Sequence, residues 1–426
     1  MTNFLNRLKS SLLLKRFLGI FSIDVLVRGS GLVLLPVYLR LMTKEEYGLY
    51  GYLSSIIGVS SSVLGLGLYV PQIKMYHDLK NEQEKGAALF TLNVSLLIYV
   101  VLVLASAYLF GFDIVVVKLL FRHGIDYRQY RLYVLGTIFV SVFSMMLYSY
   151  FLTSERIGRI KLYNISRLVI LNIVVLVALY LSSRNSVLIR LRYSMLVEAA
   201  LIVTFGYVLL LRMVPTFRVN VLVKALKIGL PVMLSALANM FYNLSDRFFL
   251  EKYYSLQVIG VYTLGLTLSS VVSITMTSFQ SIWMPLFLKE EDASANIDRV
   301  RRMALFVIGI YALLGAGIVA MTSFLLFVNV IDRSYGQVTL LLPLLLASSI
   351  CYAVSQLFQN FMVYFEVTHI GLSFNVVANV VCVLLCMWLV PRYGMYGAGS
   401  ALAFSAASSL GMHYVFVVNR ATVWGA

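Results

Sequence analysis

The chain has 426 residues, of which 61% are hydrophobic and 12% are charged, and its mean hydropathy is +0.89. Soluble domains are about half apolar and about a quarter charged, so this composition excludes a water-soluble enzyme, a nucleic-acid binder and a disordered chain. Three cysteines are too few for disulfide bonds to stabilise a chain of this length. The formal net charge of +16 must therefore be interpreted as charge on the two sides of a membrane.

Apolar stretches of span length follow one another along the whole chain. If a span with its connection takes about 35 residues, the length allows about 12 spans. Long unbroken apolar runs indicate helices, because barrel strands alternate over about 10 residues. The predicted spans are residues 17–39, 47–69, 87–110, 130–151, 163–181, 194–211, 228–250, 258–283, 303–327, 339–365, 370–390 and 397–418. These spans predict an all-α integral membrane protein.

The segment before the first span is basic and amphipathic. Phe4 and Leu8 fall on a helical face opposite Arg7, which predicts a short interfacial helix over residues 1–16. A cleaved signal peptide is disfavoured because the apolar run that follows is too long and contains charges. Lys and Arg are more numerous in the alternate connections on the N-terminal side, so we expect both termini in the cytoplasm.

Two similar segments, residues 40–50 and 252–262, lie almost half the chain apart. A basic residue, a hydroxyl residue and a Gly-x-Tyr pair align between them without gaps. Thr43 with Glu46 predicts a capping box, and Ser255 can cap the corresponding helix alone. Because helix caps are generic, a chance likeness is the alternative to an internal repeat.

A six-span repeat predicts two six-helix bundles that flank a central cavity. We expect the first bundle over residues 17–211, a cytoplasmic linker over 212–227, the second bundle over 228–418 and a tail over 419–426. This arrangement is typical of transporters that alternate between inward-open and outward-open states.

Ionisable residues inside the spans are candidate binding residues, because an unpaired charge in hydrocarbon costs several kcal/mol. Asp24 and Arg28 lie four residues apart on one helical face. They form either a neutral pair that joins helices or a cavity-facing pair whose guanidinium binds an anionic substrate. Arg167 and Glu198 are expected to pair across the fifth and sixth spans, where a structural bridge is favoured over a substrate role.

The seventh span carries a polar stripe. Asn239, Asn243 and Asp246 share one helical face, and Arg247 follows them. The stripe is expected to face the cavity or a neighbouring helix, with snorkelling of Asp246 and Arg247 to the interface as the alternative. Because the deeper charges all fall in the first half, we expect anionic ligand chemistry in the first bundle.

Further polar stripes are predicted to serve helix packing more often than binding. They comprise Tyr352, Gln356 and Asn360 in the tenth span, Asn375 and Asn379 in the eleventh, and Ser and Thr residues of the second and eighth spans. The sequence contains no metal-ligand spacing, nucleophile motif or nucleotide-binding domain, so we expect no enzyme activity and no cofactor. Uphill transport would then use a proton, sodium or substrate gradient.

Three segments resemble the Wzx-type O-antigen flippases of the multidrug/oligosaccharidyl-lipid/polysaccharide (MOP) exporter superfamily. They are residues 35–50, residues 246–250 with 259–262, and residues 393–399. The resemblance implies a fold shared with MATE multidrug exporters and with the lipid II flippase. It also implies transfer of undecaprenyl-diphosphate-linked oligosaccharide across the bacterial inner membrane, with Arg28 at the diphosphate. Expected partners are membrane lipid, a polysaccharide polymerase and a chain-length regulator, and no nucleic acid.

Two alternatives remain. A MATE-like exporter of small cations would share the fold but favour carboxylates within the membrane. A membrane polysaccharide polymerase would carry a long external loop, whereas the longest outer connection expected here is residues 111–129. The flippase is the favoured hypothesis.

Overall fold

The computed structural model of the chain describes residues 33–79, 81–121, 125–154, 157–182, 185–288, 293–365 and 367–423. Almost all of these residues are helical. The predicted interfacial segment, Asp24 and Arg28 lie outside the described residues.

The helices of the first part of the chain are α1 (Leu35–Leu41), α2 (Lys44–Leu64), α3 (Tyr69–Asp78), α4 (Glu82–Phe110), α5 (Phe112–Leu120), α6 (Tyr127–Thr153), α7 (Ile157–Leu181) and α8 (Ser186–Leu210). The remaining helices are α9 (Val219–Tyr253), α10 (Leu256–Phe287), α11 (Ala293–Phe327), α12 (Val338–Tyr364) and α13 (Thr368–Val423), with a 3-10 turn at Arg333–Tyr335.

The described part of the chain contains eight helices long and apolar enough to cross a membrane, or nine if the bent pair α2 and α3 forms one span. The predicted all-α membrane class is confirmed, and each apolar stretch after the first is mostly helical. The predicted second span is broken, since α2 and α3 meet at 44°. Leu66 and Gly67 adopt φ values of 49° and 62° at this break, which ends the helical ladder.

The last two predicted spans form one helix, α13, with a break at Gly394. This residue has φ 58° and ψ −133°, a conformation that only glycine adopts without strain. We call the parts of α13 before and after Gly394 its first and last limbs. The outer connection predicted at residues 111–129 also differs from a plain loop, because it contains α5.

Of the two predicted helix N-caps, one is formed by side-chain hydrogen bonds and the other is not. The predicted capping box is confirmed: the Thr43 backbone N–H donates to Glu46 Oε2 at 2.9 Å, and the Glu46 N–H donates to Thr43 Oγ1 at 3.2 Å. Ser255 stands at the N-cap of α10, but its side chain makes no cap hydrogen bond, so that prediction is wrong.

The contacts divide the described chain into two compact units. The first unit consists of residues 53–237, and the second consists of residues 33–52 together with 238–423. In the first unit an apolar core joins α4, α6, α7 and α8 and includes Leu89, Phe151 and Tyr163. In the second unit α10, α12 and α13 pack together, and the Phe287 and Phe361 rings meet edge to face at 4.8 Å.

The two repeat segments contact each other within the second unit. Gln257 donates to Glu45 Oε1 at 2.7 Å, and the two residues are 212 positions apart. At the same offset Gly48 faces Gly260: a Cβ on Gly48 would overlap the Leu256 carbonyl oxygen, and one on Gly260 would overlap that of Lys44. At these two positions a residue of one segment meets its counterpart in the other, as in a two-fold interface between identical chains.

Candidate functional site

A polar cavity of about 510 Å³ lies inside the second unit. Four helices surround it, and their contributions are mostly hydroxyl and amide side chains. The polar lining residues are Asp246 and Arg247 of α9, Ser269, Ser270 and Ser273 of α10, Ser348, Ser349 and Tyr352 of α12, and Asn375, Asn379, Ser405 and Ser409 of α13. A cavity of this character within apolar helices can replace the hydration shell of a polar ligand.

Asp246 supplies a carboxylate to the lining of this cavity. Asp246 is 2% exposed and is among the residues that line the cavity. The Tyr262 hydroxyl donates to Asp246 Oδ2 at 2.7 Å, and the Arg247 backbone N–H donates to Oδ1 at 2.6 Å. These donors fix the carboxylate in one orientation and offset part of the cost of its burial.

Arg247 lines the same cavity as Asp246. Its guanidinium presents donors in a planar fork that fits phosphate or carboxylate oxygens. The cavity thus combines a carboxylate, a guanidinium and neutral hydroxyl and amide groups.

Asn239 and Asn243 precede Asp246 on α9 by seven and three positions, so the backbone places all three on one face of the helix. Asn375 and Asn379 lie one turn apart on the first limb of α13, and both line the cavity. Tyr352 also lines it, whereas Asn360, from the same predicted stripe, is buried and donates to Gln280 Oε1 at 3.0 Å. That stripe is therefore divided between a cavity-lining position and a packing position.

The serines of the last limb are cavity residues that sequence reasoning missed. Ser405 donates to the Ala378 carbonyl oxygen at 2.7 Å and joins the two limbs of α13. Ser409 lies 3.2 Å from Ser355, oxygen to oxygen, and both are buried. The only sequence signal for these positions is the four-residue spacing of Ser405 and Ser409 on one helical face.

Arg167 and Glu198 form the expected ion pair in the first unit. The Arg167 Nε donates to Glu198 Oε1 at 3.0 Å, and Nη2 donates to the same oxygen. The glutamate side chain is 10% exposed and the arginine side chain 41%. The pair joins α7 to α8.

A second pair in the first unit was not predicted. Arg131 of α6 donates from Nε to Asp113 Oδ2 and from Nη2 to Oδ1, both at 2.7 Å. This bidentate geometry fixes α5 against α6. The positions alone did not indicate it, because Asp113 falls in the stretch expected to be a loop.

Comparisons with known proteins agree on one family and one fold. The family model of the polysaccharide biosynthesis protein matches residues 13–291, more than half of the chain. No curated protein sequence matches.

Three solved structures show the fold. An inward-facing multidrug resistance MATE family transporter of the MOP superfamily has a TM-score of 0.74 at 12% identity, covering 95% of this chain and 94% of its own. The lipid II flippase MurJ, in an inward closed conformation, has a TM-score of 0.71 at 14% identity, covering 93% and 87%. A Vibrio cholerae MATE transporter has a TM-score of 0.60 at 13% identity, covering 95% and 96%. The chain is a multi-pass membrane protein with a MATE-like fold.

Proposed function

The chain belongs to the polysaccharide biosynthesis protein family, and on this premise we propose that it is a flippase for lipid-linked oligosaccharide. The substrate we propose is an undecaprenyl-diphosphate-linked repeat unit for a surface polysaccharide such as O-antigen, capsule or exopolysaccharide. The protein would move this unit across the bacterial inner membrane by alternating access, with both termini cytoplasmic. A polysaccharide polymerase and a chain-length regulator would act on the product, and no chemical step would occur in the flippase itself.

The polar cavity of the second unit is the observation that carries this proposal. A diphosphate-sugar headgroup cannot cross hydrocarbon unaided, because its charges and hydroxyls would lose their water. Serine hydroxyls and the Asn375 and Asn379 amides both donate and accept hydrogen bonds, as sugar hydroxyls do. The polyprenyl tail could remain in lipid while the headgroup exchanges water for these groups.

The diphosphate requires cations, and Arg28 with help from Arg167 is the hypothesis that the sequence supports. Arg167 already binds Glu198, so it would bring a partly compensated charge to the substrate. Arg247 is a further candidate, because it lines the cavity directly.

Proton or sodium coupling is part of the proposal. Asp246 is the carboxylate of the cavity lining, and a buried carboxylate exchanges a proton or a small cation more readily than a neutral group does. Loss of coupling with retained downhill translocation in Asp246→Asn would support this role.

A proteoliposome assay tests the proposed activity. Purified protein would be reconstituted with fluorescent undecaprenyl-diphosphate-linked oligosaccharide, and translocation would be followed by loss of protection from a membrane-impermeant quencher. We expect Asn375→Leu with Asn379→Leu to reduce the rate at least about tenfold, since two amide partners correspond to about 1.4 kcal/mol or more. The matched control is Asn172→Leu, because Asn172 is bonded to its own helix in the first unit. Equal rates in wild type, variants and empty liposomes would overturn the proposal.

A MATE-like exporter of small molecules is the second candidate. The observation that favours it is the Asp246 carboxylate in the cavity, which suits a cationic substrate. Translocation of organic cations without movement of the lipid-linked sugar would establish this alternative. A polymerase is less favoured, because about half of the stretch expected to be the longest outer loop belongs to the helix α5.

A further inference from the structure

An apolar groove of about 530 Å³ lies along the C-terminal part of α13. Phe374 of the first limb forms one wall, and Met412, Val415 and Phe416 of the last limb form the other. The lining of the last limb extends from Ser408 to Asn419, which at 1.5 Å per residue is about 16 Å of helix. Its length and apolar lining suit a hydrocarbon chain.

Gly411 keeps this groove open. A Cβ built at Gly411 would meet no heavy atom within 4 Å, so the space beside it is unfilled by the described side chains. Between the limbs, Phe374 and Phe416 meet edge to face at 5.9 Å and hold the wall in place. The groove is therefore built from packed aromatic residues, and one glycine leaves it accessible.

A guanidinium lies beside the C-terminal end of the groove. Arg420 is held over the rings of Phe365 and Phe416, at 5.4 and 5.6 Å from their centroids. Among the residues that the structure describes, its charge contacts these two rings, and neither ring neutralises it. An oriented cation next to an apolar channel matches the polarity of an anionic lipid, which has its charge at one end and hydrocarbon at the other.

We propose that this groove binds one anionic phospholipid from the leaflet that contains the C-terminus. One acyl chain lies against Phe374, Met412 and Phe416, and the phosphate accepts charge-assisted hydrogen bonds from Arg420. A single guanidinium matches the single charge of a phosphodiester, which favours a phospholipid over a polyprenyl diphosphate. The site is separate from the polar cavity and does not depend on the transported substrate.

Native mass spectrometry of the purified full-length protein tests the site. The detergent-solubilised protein would be mixed with equal amounts of phosphatidylglycerol and phosphatidylcholine that have the same acyl chains. We expect wild type to retain one phosphatidylglycerol in preference to phosphatidylcholine. Arg420→Gln should reduce this preference about fivefold, the effect of one basic residue near an anionic lipid surface. Gly411→Leu should reduce the occupancy of both lipids, because a Cβ at this position meets no atom within 4 Å and the larger side chain would take up space in the groove.

Arg392→Gln is the matched control. Arg392 stacks on Trp388 at 4.6 Å, close to the break at Gly394 and far along α13 from the groove. The Arg392→Gln variant should retain phosphatidylglycerol in preference to phosphatidylcholine as wild type does. All variants should have the same unfolding temperature as wild type. Equal retention of both lipids by wild type, or an unchanged preference for phosphatidylglycerol in Arg420→Gln, would overturn the proposal. Loss of phosphatidylglycerol when an equal amount of undecaprenyl phosphate is added to the mixture would also overturn it.

Discussion

The ion pair between Arg167 and Glu198 is asymmetric in its exposure to solvent. Glu198 is nearly enclosed, whereas Arg167 keeps 41% of its side-chain surface accessible. Removing the arginine would leave a buried carboxylate without its hydrogen-bond donor. The loss in the free energy of unfolding would then exceed the stabilisation that the intact pair provides. Removing the glutamate would free a guanidinium that can still reach solvent or lipid headgroups.

A double-substitution cycle separates the structural role of this pair from a substrate role. We expect Arg167→Gln to lower the unfolding temperature more than Glu198→Gln does, and the double variant to recover part of the loss. The coupling energy should be at least about 0.5 kcal/mol, a modest value because the arginine is partly exposed. If the pair is structural, the double variant translocates substrate as wild type does.

Loss of translocation in a stable double variant would contradict a purely structural bridge. The thermal unfolding of Arg192→Gln, an exposed basic position on α8, serves as the reference for a surface charge change.

At this scale the pairing of Arg167 with Glu198 was predictable, because charges in adjacent spans have few other partners within hydrocarbon. The cavity serines were not. Ser405 both bonds the Ala378 carbonyl and lines the cavity, and serine in a membrane helix serves packing as readily as binding. Only the contacts between helices distinguish the two roles.

Among the helices, α2 and α10 approach each other closely at the two repeat segments. It depends on Gly48 and Gly260, where any side chain would overlap a carbonyl oxygen of the other helix. The approach also brings Gly51 against Thr263, where a Cβ would lie 2.8 Å from the threonine hydroxyl oxygen. A larger residue at these positions must push the helices apart.

Gly48→Val should therefore reduce the amount of folded protein and lower its unfolding temperature. Overpacking of a tight contact costs about 1–3 kcal/mol. Gly58→Ala on the same helix is the control: a Cβ there meets no atom within 4 Å, and alanine is the better helix former by about 1 kcal/mol. Fluorescence-detected size-exclusion chromatography with a thermal ramp measures both. If Gly48→Val had the same amount of folded protein and the same unfolding temperature as wild type, the helices could move apart without loss of stability.

The positions of the helices followed from hydropathy, but their breaks did not. Hydropathy averages over a window and cannot detect the backbone of Leu66 and Gly67 or the left-handed φ of Gly394. The merged last helix shows the same limit, because Pro391 and Gly394 lie in a stretch that stays helical on both sides. Backbone conformation at single residues decides these boundaries.

Over the whole molecule, large apolar side chains cover the outer surface. Leu109 and Leu313 are each 77% exposed and Val203 is 75% exposed. In water such a surface would cause aggregation, whereas in a bilayer it contacts lipid chains of the same polarity. This apolar surface follows from the composition of the chain, which is rich in hydrophobic residues and poor in charged ones.

A charge placed on this surface tests its contact with lipid. Leu313 lies near the middle of α11, so Leu313→Arg should raise the free energy of membrane insertion by about 3 kcal/mol. The integrated fraction of a glycosylation-site reporter carrying this helix would fall accordingly, while Leu313→Phe would integrate like wild type. Equal integration of both variants would mean that α11 is shielded from lipid.

Composition was sufficient to predict the membrane class, and the three motifs indicated the MATE-like fold. The grouping of helices into units was beyond prediction from hydropathy, because an apolar face carries no information about which other helix covers it. Residues 33–52 illustrate this: they join residues 238–423, although nearly 200 positions separate the two parts in the sequence.

That grouping sets the order of events during synthesis. Gly48 is made 212 residues before its counterpart Gly260. At 5–20 residues per second, synthesis of the chain between them takes about 10–40 s. During this interval α1 and the start of α2 have only lipid, the translocation machinery or helices other than α10 as neighbours. A chaperone or insertase that covers the surface around Gly48 would therefore act on the nascent segment that contains α1 and α2, and not on the finished protein.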